Sequence, residues 1–401
     1  MEHSPQSNDT TLFNRDFSLR LTNQILEKEA SKGSNFVASP LSLHVMLSLI
    51  AAGSKGQTLQ QLLHFLGSTS VGDLNLLSLR IINLASPAEN LAAGGPLLSF
   101  VNGAWLDQKF SLKSSFEEIA RSSYRAELKS VDFETKAEEV VKEVNSWAEA
   151  ATKGLIKDLL PAGSLDSDTA LVLANALYFK GAWDQQFDTS STQLREFHLL
   201  NGQTTVQVPF MTTGRNTRHL YRSFDGYKVL QIPYQTSQDH SRKFSMYFFL
   251  PVEKDGLHNL IKKNIKLNPG FLNQQFNLRL EDDLSDFWIP KFKFSFQLEA
   301  SKSMKEMGLT LPFQAGELTE MVDSPNGNRL FVSDIFHKSH IEVNEEGTEA
   351  AAVTATTFVN CCLGIPTPRF VADHPFLFMI REETHGVVFF VGAVLNPLLE
   401  A

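Results

Sequence analysis

Cysteine is almost missing from this chain: two in 401 residues, Cys361 and Cys362, and they are adjacent. A fold stapled by disulfides between distant segments is therefore excluded, and a reducing compartment fits. Long apolar runs are missing too. The least charged early stretch, Pro40 to Ser54, is interrupted by Ser42, His44 and Ser48, well short of the about 18 unbroken apolar residues of a membrane span. The N-terminus, MEHSPQSNDTTLFNRDF, has no basic start followed by an apolar core, so no secretory signal is expected. The sequon at Asn8-Asp9-Thr10 carries little meaning without one. Positive charge is in deficit, 36 Lys and Arg against 45 Asp and Glu, which disfavours nucleic acid or an anionic membrane as partner.

Catalytic signatures are equally scarce. There is no G-x-S-x-G elbow, phosphate loop, H-E-x-x-H or G-x-G-x-x-G. His337 and His340 are three apart in a strand-like context, which points them to opposite faces and not at one metal. A cysteine nucleophile at Cys361 or Cys362 needs a base and a fixed helix start or turn. The flanking residues supply no such signal, so two reduced thiols in a loop is the better reading.

What is present is a core-forming composition, 42% apolar. Helical spacing predicts helices at 17–29, from Ser39-Pro40 to Gly53, at 57–65 and at 136–151. Leu171 to Phe179 is a continuous apolar run, read as a strand buried on both faces, with Asn175 in its middle needing hydrogen-bond partners. Further strands are expected at 244–250, 276–280, 287–294, 329–343, 376–380 and 387–395. Helices dominate the first 160 residues and strands the rest, with no internal repeat or linker. The fold class is α+β, one domain with large antiparallel sheets.

One segment stands apart. Between Gly347 and Arg369 there is a single charge, Glu349, in 21 residues, where the chain's 20% charged content gives about four. Read with a period of two, one face carries Thr348, Ala350, Ala352, Thr354, Thr356 and Phe358. The other carries Glu349, Ala351, Val353, Ala355, Thr357 and Val359. β-branched Thr and Val favour a strand, but four alanines and few large apolar residues do not anchor one. Such a segment suits two states, outside a sheet and inside it.

The run Glu345-Glu346-Gly347-Thr348-Glu349-Ala350-Ala351 resembles the hinge of a serpin reactive-centre loop. The resemblance extends along almost the whole chain. It includes Asn35-Phe36-Val37-Ala38-Ser39-Pro40-Leu41-Ser42, Asn175 to Trp183 (NALYFKGAW) and His337, ten residues before Gly347. Asp373-His374-Pro375-Phe376, Phe390-Val391-Gly392 and Asn396-Pro397 fit as well. FVADHPFLFMIREETHGVVFFVGAVLNPL is similar to the plant branch, whose members generally lack a signal peptide. The resemblance implies a single serpin domain over residues 10–401 behind a flexible 1–9, with three β-sheets, about nine helices and an exposed loop at about 345–370. It implies a suicide substrate: a protease attacks the loop, forms an acyl-enzyme, and is trapped as the loop inserts into the central sheet. Ser39, Ser42, Asn175, Trp183 and His337 take the family's shutter and breach positions. The hinge comprises Glu345, Gly347, Thr348, Glu349, Ala350, Ala351 and Ala352, small and uncharged where it must turn inward.

Counting Glu345 as seventeenth before the attacked bond places that bond at Cys361–Cys362, flanked by Phe358, Val359, Asn360 and Leu363. A basic residue is common here in plant serpins, so its absence argues against trypsin-like and Arg/Lys-specific targets. A shift of one residue presents Asn360 to an asparagine-cutting cysteine protease. Oxidation of the thiols is a further switch to test: equal inhibition rates for peroxide-treated and reduced protein would exclude it. The expected partner is an endopeptidase of serine or cysteine class, met by a monomer in the cytoplasm or nucleus. No metal or cofactor is expected; residues 55–95 hold only Lys55 and Arg80, too few cations for an activating polysaccharide. The rival readings are a non-inhibitory serpin (carrier, chaperone or storage protein) and a cysteine-dependent enzyme.

Overall fold

The computed structural model describes residues 15–85, 95–200, 202–213, 217–236, 242–268, 270–281, 284–323, 327–348 and 368–400. Eight α-helices lie among them: α1 (Arg15–Lys32), α2 (Pro40–Ala52), α3 (Gly56–Leu66), α4 (Val71–Ala85), α5 (Ser114–Tyr124), α6 (Phe133–Ala151), α7 (Leu257–Leu260) and α8 (Ala300–Glu306). In the first half the strands are β1 (Phe36–Ala38), β2 (Leu97–Asp107), β3 (Ala126–Val131), β4 (Leu171–Ala182), β5 (Gln193–His198) and β6 (Thr205–Met211). Next come β7 (His219–Phe224), β8 (Tyr227–Pro233), β9 (Phe244–Pro251), β10 (Arg279–Glu281), β11 (Asp286–Pro290) and β12 (Phe292–Glu299). The last five are β13 (Asp334–Val343), β14 (Gly347–Thr348), β15 (Arg369–Val371), β16 (Phe376–Glu382) and β17 (Val387–Val394).

They form three sheets. One has the order β1-β17-β16-β9-β8-β7-β10, and a second β15-β11-β6-β5. The third runs β12-β13-β4-β2-β3, with the short β14 paired to β4. This third sheet is a middle layer. Beneath it lies α2, which starts where Ser39 Oγ accepts from the Ser42 N–H and has proline in its first turn. Apart from Ser42, His44 and Ser48 the helix is apolar, and it is buried along nearly its whole length. Above the sheet lies α6, whose Val140, Val141, Val144 and Ala148 pack on Trp105, Val172, Ala174 and Phe336. With a helix on each face, β4 is buried on both sides, which explains its uninterrupted apolar run.

Three expected strands differ in extent. Of 276–280, only Arg279 and Leu280 are in a strand; Phe276 instead packs among Tyr247, Phe249 and Phe271. The stretch 287–294 is two strands in different sheets. Pro290 ends β11, and the Lys291 N–H turns away to the Pro209 carbonyl before β12 begins. The strand expected from 329 begins at Asp334, after a 3₁₀ turn at Gly327–Arg329.

Candidate functional site: the seam between β4 and β13

The third sheet has an uneven centre. β12 and β13 are antiparallel, and so are β2 and β4, but β4 and β13 run parallel from Asp334↔Val172 to His340↔Tyr178. Parallel ladders are slightly less stable per residue than antiparallel ones. Beyond Tyr178 the described pairing of β4 with β13 stops. There β14 takes over, antiparallel to β4, with Gly347 opposite Ala182 and Thr348 opposite Gly181.

A row of polar side chains crosses the paired part of the seam. Asn102, Asn175 and His337 sit opposite one another on β2, β4 and β13. Asn175 Nδ2 donates to Asn102 Oδ1 at 2.8 Å and to the Val101 carbonyl at 3.1 Å, leaving its Oδ1 for His337 Nδ1 at 2.8 Å. His337 Nε2 accepts from the Ser39 N–H at 3.2 Å, and Ser339 Oγ lies 2.8 Å from it. A backbone N–H only donates, so Nε2 carries the lone pair and Nδ1 the proton. The imidazole is fully buried, and burial pushes its pKa down to about 3, so it is neutral.

The resemblance put Ser42 among the shutter positions beside Asn175 and His337. Its hydroxyl is buried with no hydrogen-bond partner, and only its N–H is engaged, by Ser39 Oγ. Ser339 and Asn102 complete the row instead. Both are ordinary small polar residues in strands, and nothing in their local sequence marks them.

The hinge end is stitched to the end of β4. Asn344 turns the chain: its N–H donates to the Gly347 carbonyl at 3.0 Å, and its Oδ1 accepts from the N–H groups of Glu346 and Gly347. Trp183 donates its backbone N–H to the Glu346 carbonyl and its indole N–H to the Asn344 carbonyl, each at 2.9 Å. Its ring stacks on Tyr234 at 4.6 Å, and the Tyr234 hydroxyl lies 2.9 Å from Thr348 Oγ1. Thr348 is buried, 1% exposed. Gly347 has φ +154°, and a Cβ there would stand 2.1 Å from the Gly181 carbonyl oxygen, so only glycine fits.

Glu345 is buried beside these contacts. Its carboxylate takes Lys291 Nζ at 2.8 Å and Thr192 Oγ1 at 2.6 Å. Burial pushes this carboxyl up, but Lys291, Thr192 and the backbone outweigh it and hold it below the usual range. On the far side, β15 lies parallel to β11, with the Ser285 N–H on the Pro368 carbonyl and Lys228 Nζ on the Arg369 carbonyl.

Of the expected site residues, Ser39, Ser42, Asn175, Trp183, His337, Glu345, Gly347 and Thr348 are thus placed at one seam. Glu349, Ala350, Ala351, Ala352, Phe358, Val359, Asn360, Cys361, Cys362 and Leu363 lie outside the described residues, as does the 1–9 segment.

A parallel seam that carries the start of an antiparallel strand at one end is what sets this sheet apart. A family model described as Serpin (serine protease inhibitor) matches residues 13–397, and the chain belongs to the serpin family. Its relatives include the plant Z-type members. Serpin-ZXA of Oryza sativa subsp. japonica is 51% identical over 92% of both chains. Serpin-ZX of Arabidopsis thaliana is 50% identical over 92% of this chain and 93% of its own. A solved structure titled as the native stressed conformation of Arabidopsis AtSerpin1 superposes with a TM-score of 0.87 at 45% identity, covering 99% of this chain and all of that one. Serpin48 of the insect Tenebrio molitor gives 0.82 at 26% identity over 98% of this chain and all of its own. The expected three-sheet serpin fold is the one found. The serpin mechanism is suicide-substrate protease inhibition.

Proposed function

We propose that this chain is not itself an enzyme and traps an endopeptidase when its loop is cut at Cys361–Cys362. The observation that carries this reading is β14, a strand already begun in the seam, antiparallel to β4 and starting at a glycine no other residue can replace. The hinge fits inhibition better than a carrier or storage role: Thr348 is small, uncharged and already inward.

Thr348 faces Gly181; an inserted strand that kept this register would bring Thr354 opposite Asn175. An inserted strand separates β4 from β13 by one more strand spacing of about 4.8 Å, beyond the reach of the Asn175–His337 bond. The Thr354 hydroxyl replaces it, accepting from His337 Nδ1–H and donating to Asn175 Oδ1. About ten new ladder hydrogen bonds at a net ~1 kcal/mol each supply on the order of 10 kcal/mol, comparable to a domain's whole stability.

The target is of serine or cysteine class. The protein acts as a single-domain monomer in the cytoplasm or nucleus; among the described residues no helix is long and apolar enough to cross a membrane. The test is incubation of reduced protein with a panel of both classes, followed by denaturing gels and the mass of the released C-terminal fragment. A covalent complex with a fragment beginning at Cys362 is expected. A fragment beginning at Cys361 moves the bond to Asn360. Clean cleavage without complex across the panel overturns inhibition.

A further inference from the structure

Above the seam, the chain that leaves α6 crosses the strands instead of following them. Thr152 turns it: its N–H and hydroxyl both donate to the Ala148 carbonyl, and its Oγ1 accepts from the Ile156 N–H. Beneath the residues that follow lies one row of the sheet: Ala176 on β4, Lys338 on β13 and Gln297 on β12. Ile156, 1% exposed, packs with Ala176 and Tyr178. Lys338 Nζ donates to the Lys157 carbonyl at 2.7 Å and to the Asp158 carbonyl at 3.2 Å. Gln297 Nε2 donates to the Leu159 carbonyl at 3.0 Å. Residues 156–159 thus take footholds on β4, β13 and β12 in turn. Asp158 holds a left-handed φ of +48°, a conformation that Asp tolerates better than most residues.

We infer that residues 156–159 are a strap across the seam and that Lys338 is the positioning residue that fastens it until a strand enters; this rests on the inhibitory reading above. Length decides the matter. β4 and β12 stand two strand spacings apart, about 9.6 Å, and the three residue steps from 156 to 159 reach about 10 Å. A strand admitted between β4 and β13 moves β12 to about 14 Å from β4. The strap then cannot keep both banks, because a shift of about 4.8 Å is more than its hydrogen bonds can stretch. It stays with β4. Thr152 ties one end to α6, and Asn145 of α6 ties the other, donating to the Leu160 carbonyl at 2.9 Å and accepting from the Leu160 N–H at 2.7 Å. α6 in turn packs with Trp105 of β2 and with Val172 and Ala174 of β4, whereas β13 contributes Phe336. Insertion therefore unfastens Lys338 and Gln297 and spares Ile156. Hydrogen bonds from a charged donor are the stronger kind, so Lys338 is the main fastening and Gln297 the lesser one.

The test compares the two banks in intact protein and in protein nicked in the loop by a non-target protease. Lys338→Met keeps the apolar stem and removes the ammonium. It should lower Tm of the intact protein by about 2 °C. After nicking it should melt together with wild type, because the bonds it lacks are absent from both. The rate at which nicked protein acquires heat resistance should rise about threefold or more, since the fastening no longer has to break. Gln297→Leu should act in the same direction with a smaller effect, and it carries the same test if Lys338→Met does not fold. Ile156→Ala, on the bank that the strap keeps, should lower Tm of intact and nicked protein alike and leave the rate at the wild-type value. If Lys338→Met lowers both melting temperatures equally and leaves the rate unchanged, Lys338 is only structural; the strap is overturned while the inhibitory reading stands on the wild-type gain. If nicking raises Tm in no variant, wild type included, the inhibitory reading fails and the strap with it.

Discussion

The two ends of the seam between β4 and β13 differ in how they are held. The far end is closed by strand pairing from Val172 to Tyr178, with the Asn102–Asn175–His337 row pinned from below by the Ser39 N–H and α6 packed above. The hinge end is held by the chain that follows β13: the Asn344 turn, the Glu345–Lys291 pair and the first two residues of a strand. One end resists opening through a buried, fully satisfied polar row. The other has already begun to accept a strand. On the proposed function, an entering strand would start at the hinge and break the His337–Asn175 bond on the way down, which would make insertion directional.

The strongest way to break this contrast is at Thr348. Thr348→Arg places a charge where the side chain is 1% exposed against Tyr234, at a cost of several kcal/mol. The stoichiometry of inhibition should rise more than about tenfold, with cleavage persisting as the covalent complex disappears from gels. Next is the closed end. Asn175→Ala orphans His337 Nδ1–H and removes the donor to Asn102; urea unfolding of the intact protein should lose about 2–4 kcal/mol.

Acid acts on the same end. The His337 pKa is lowered to about 3 in the fold, so the unfolded chain binds the proton first. The stability it confers is complete above about pH 6.5 and is lost as pH falls from there toward 3. Between pH 6.5 and 5 the loss is about 2 kcal/mol, and His337→Gln should remove that share of the slope in unfolding curves measured across this range. His44 and His219, both lowered by burial to about 4, retain theirs. The smallest effect belongs to the hinge anchor. Lys291→Ala removes a partly exposed lysine from a buried carboxylate that keeps Thr192, and thermal unfolding should report about 1 kcal/mol.

Much of this was legible in sequence where the signal is local. Ser39-Pro40 and Gly53 bound α2, and the charge-free Leu171–Phe179 run marked a strand covered on both faces. Asn175 stood out as a polar residue that needed partners, and the resemblance marked His337 as a shutter position. Other features depend on the fold. Ser42 has the right composition for the network, yet its hydroxyl points where no partner reaches. Asn102, Ser339, Tyr234 and Lys291 reach the seam only through strand pairing over long sequence separations, and no local pattern encodes that. The break at Pro290–Lys291 was hidden because two strands in different sheets abut in sequence.

The central claim is that cutting the loop lets it complete the seam. The direct measurement is Tm by calorimetry for intact protein and for protein nicked once in the loop by a non-target protease, with the fragments still associated. Insertion worth on the order of 10 kcal/mol predicts that the nicked form melts at least about 10 °C higher. An unchanged or lower Tm after complete nicking would contradict the account.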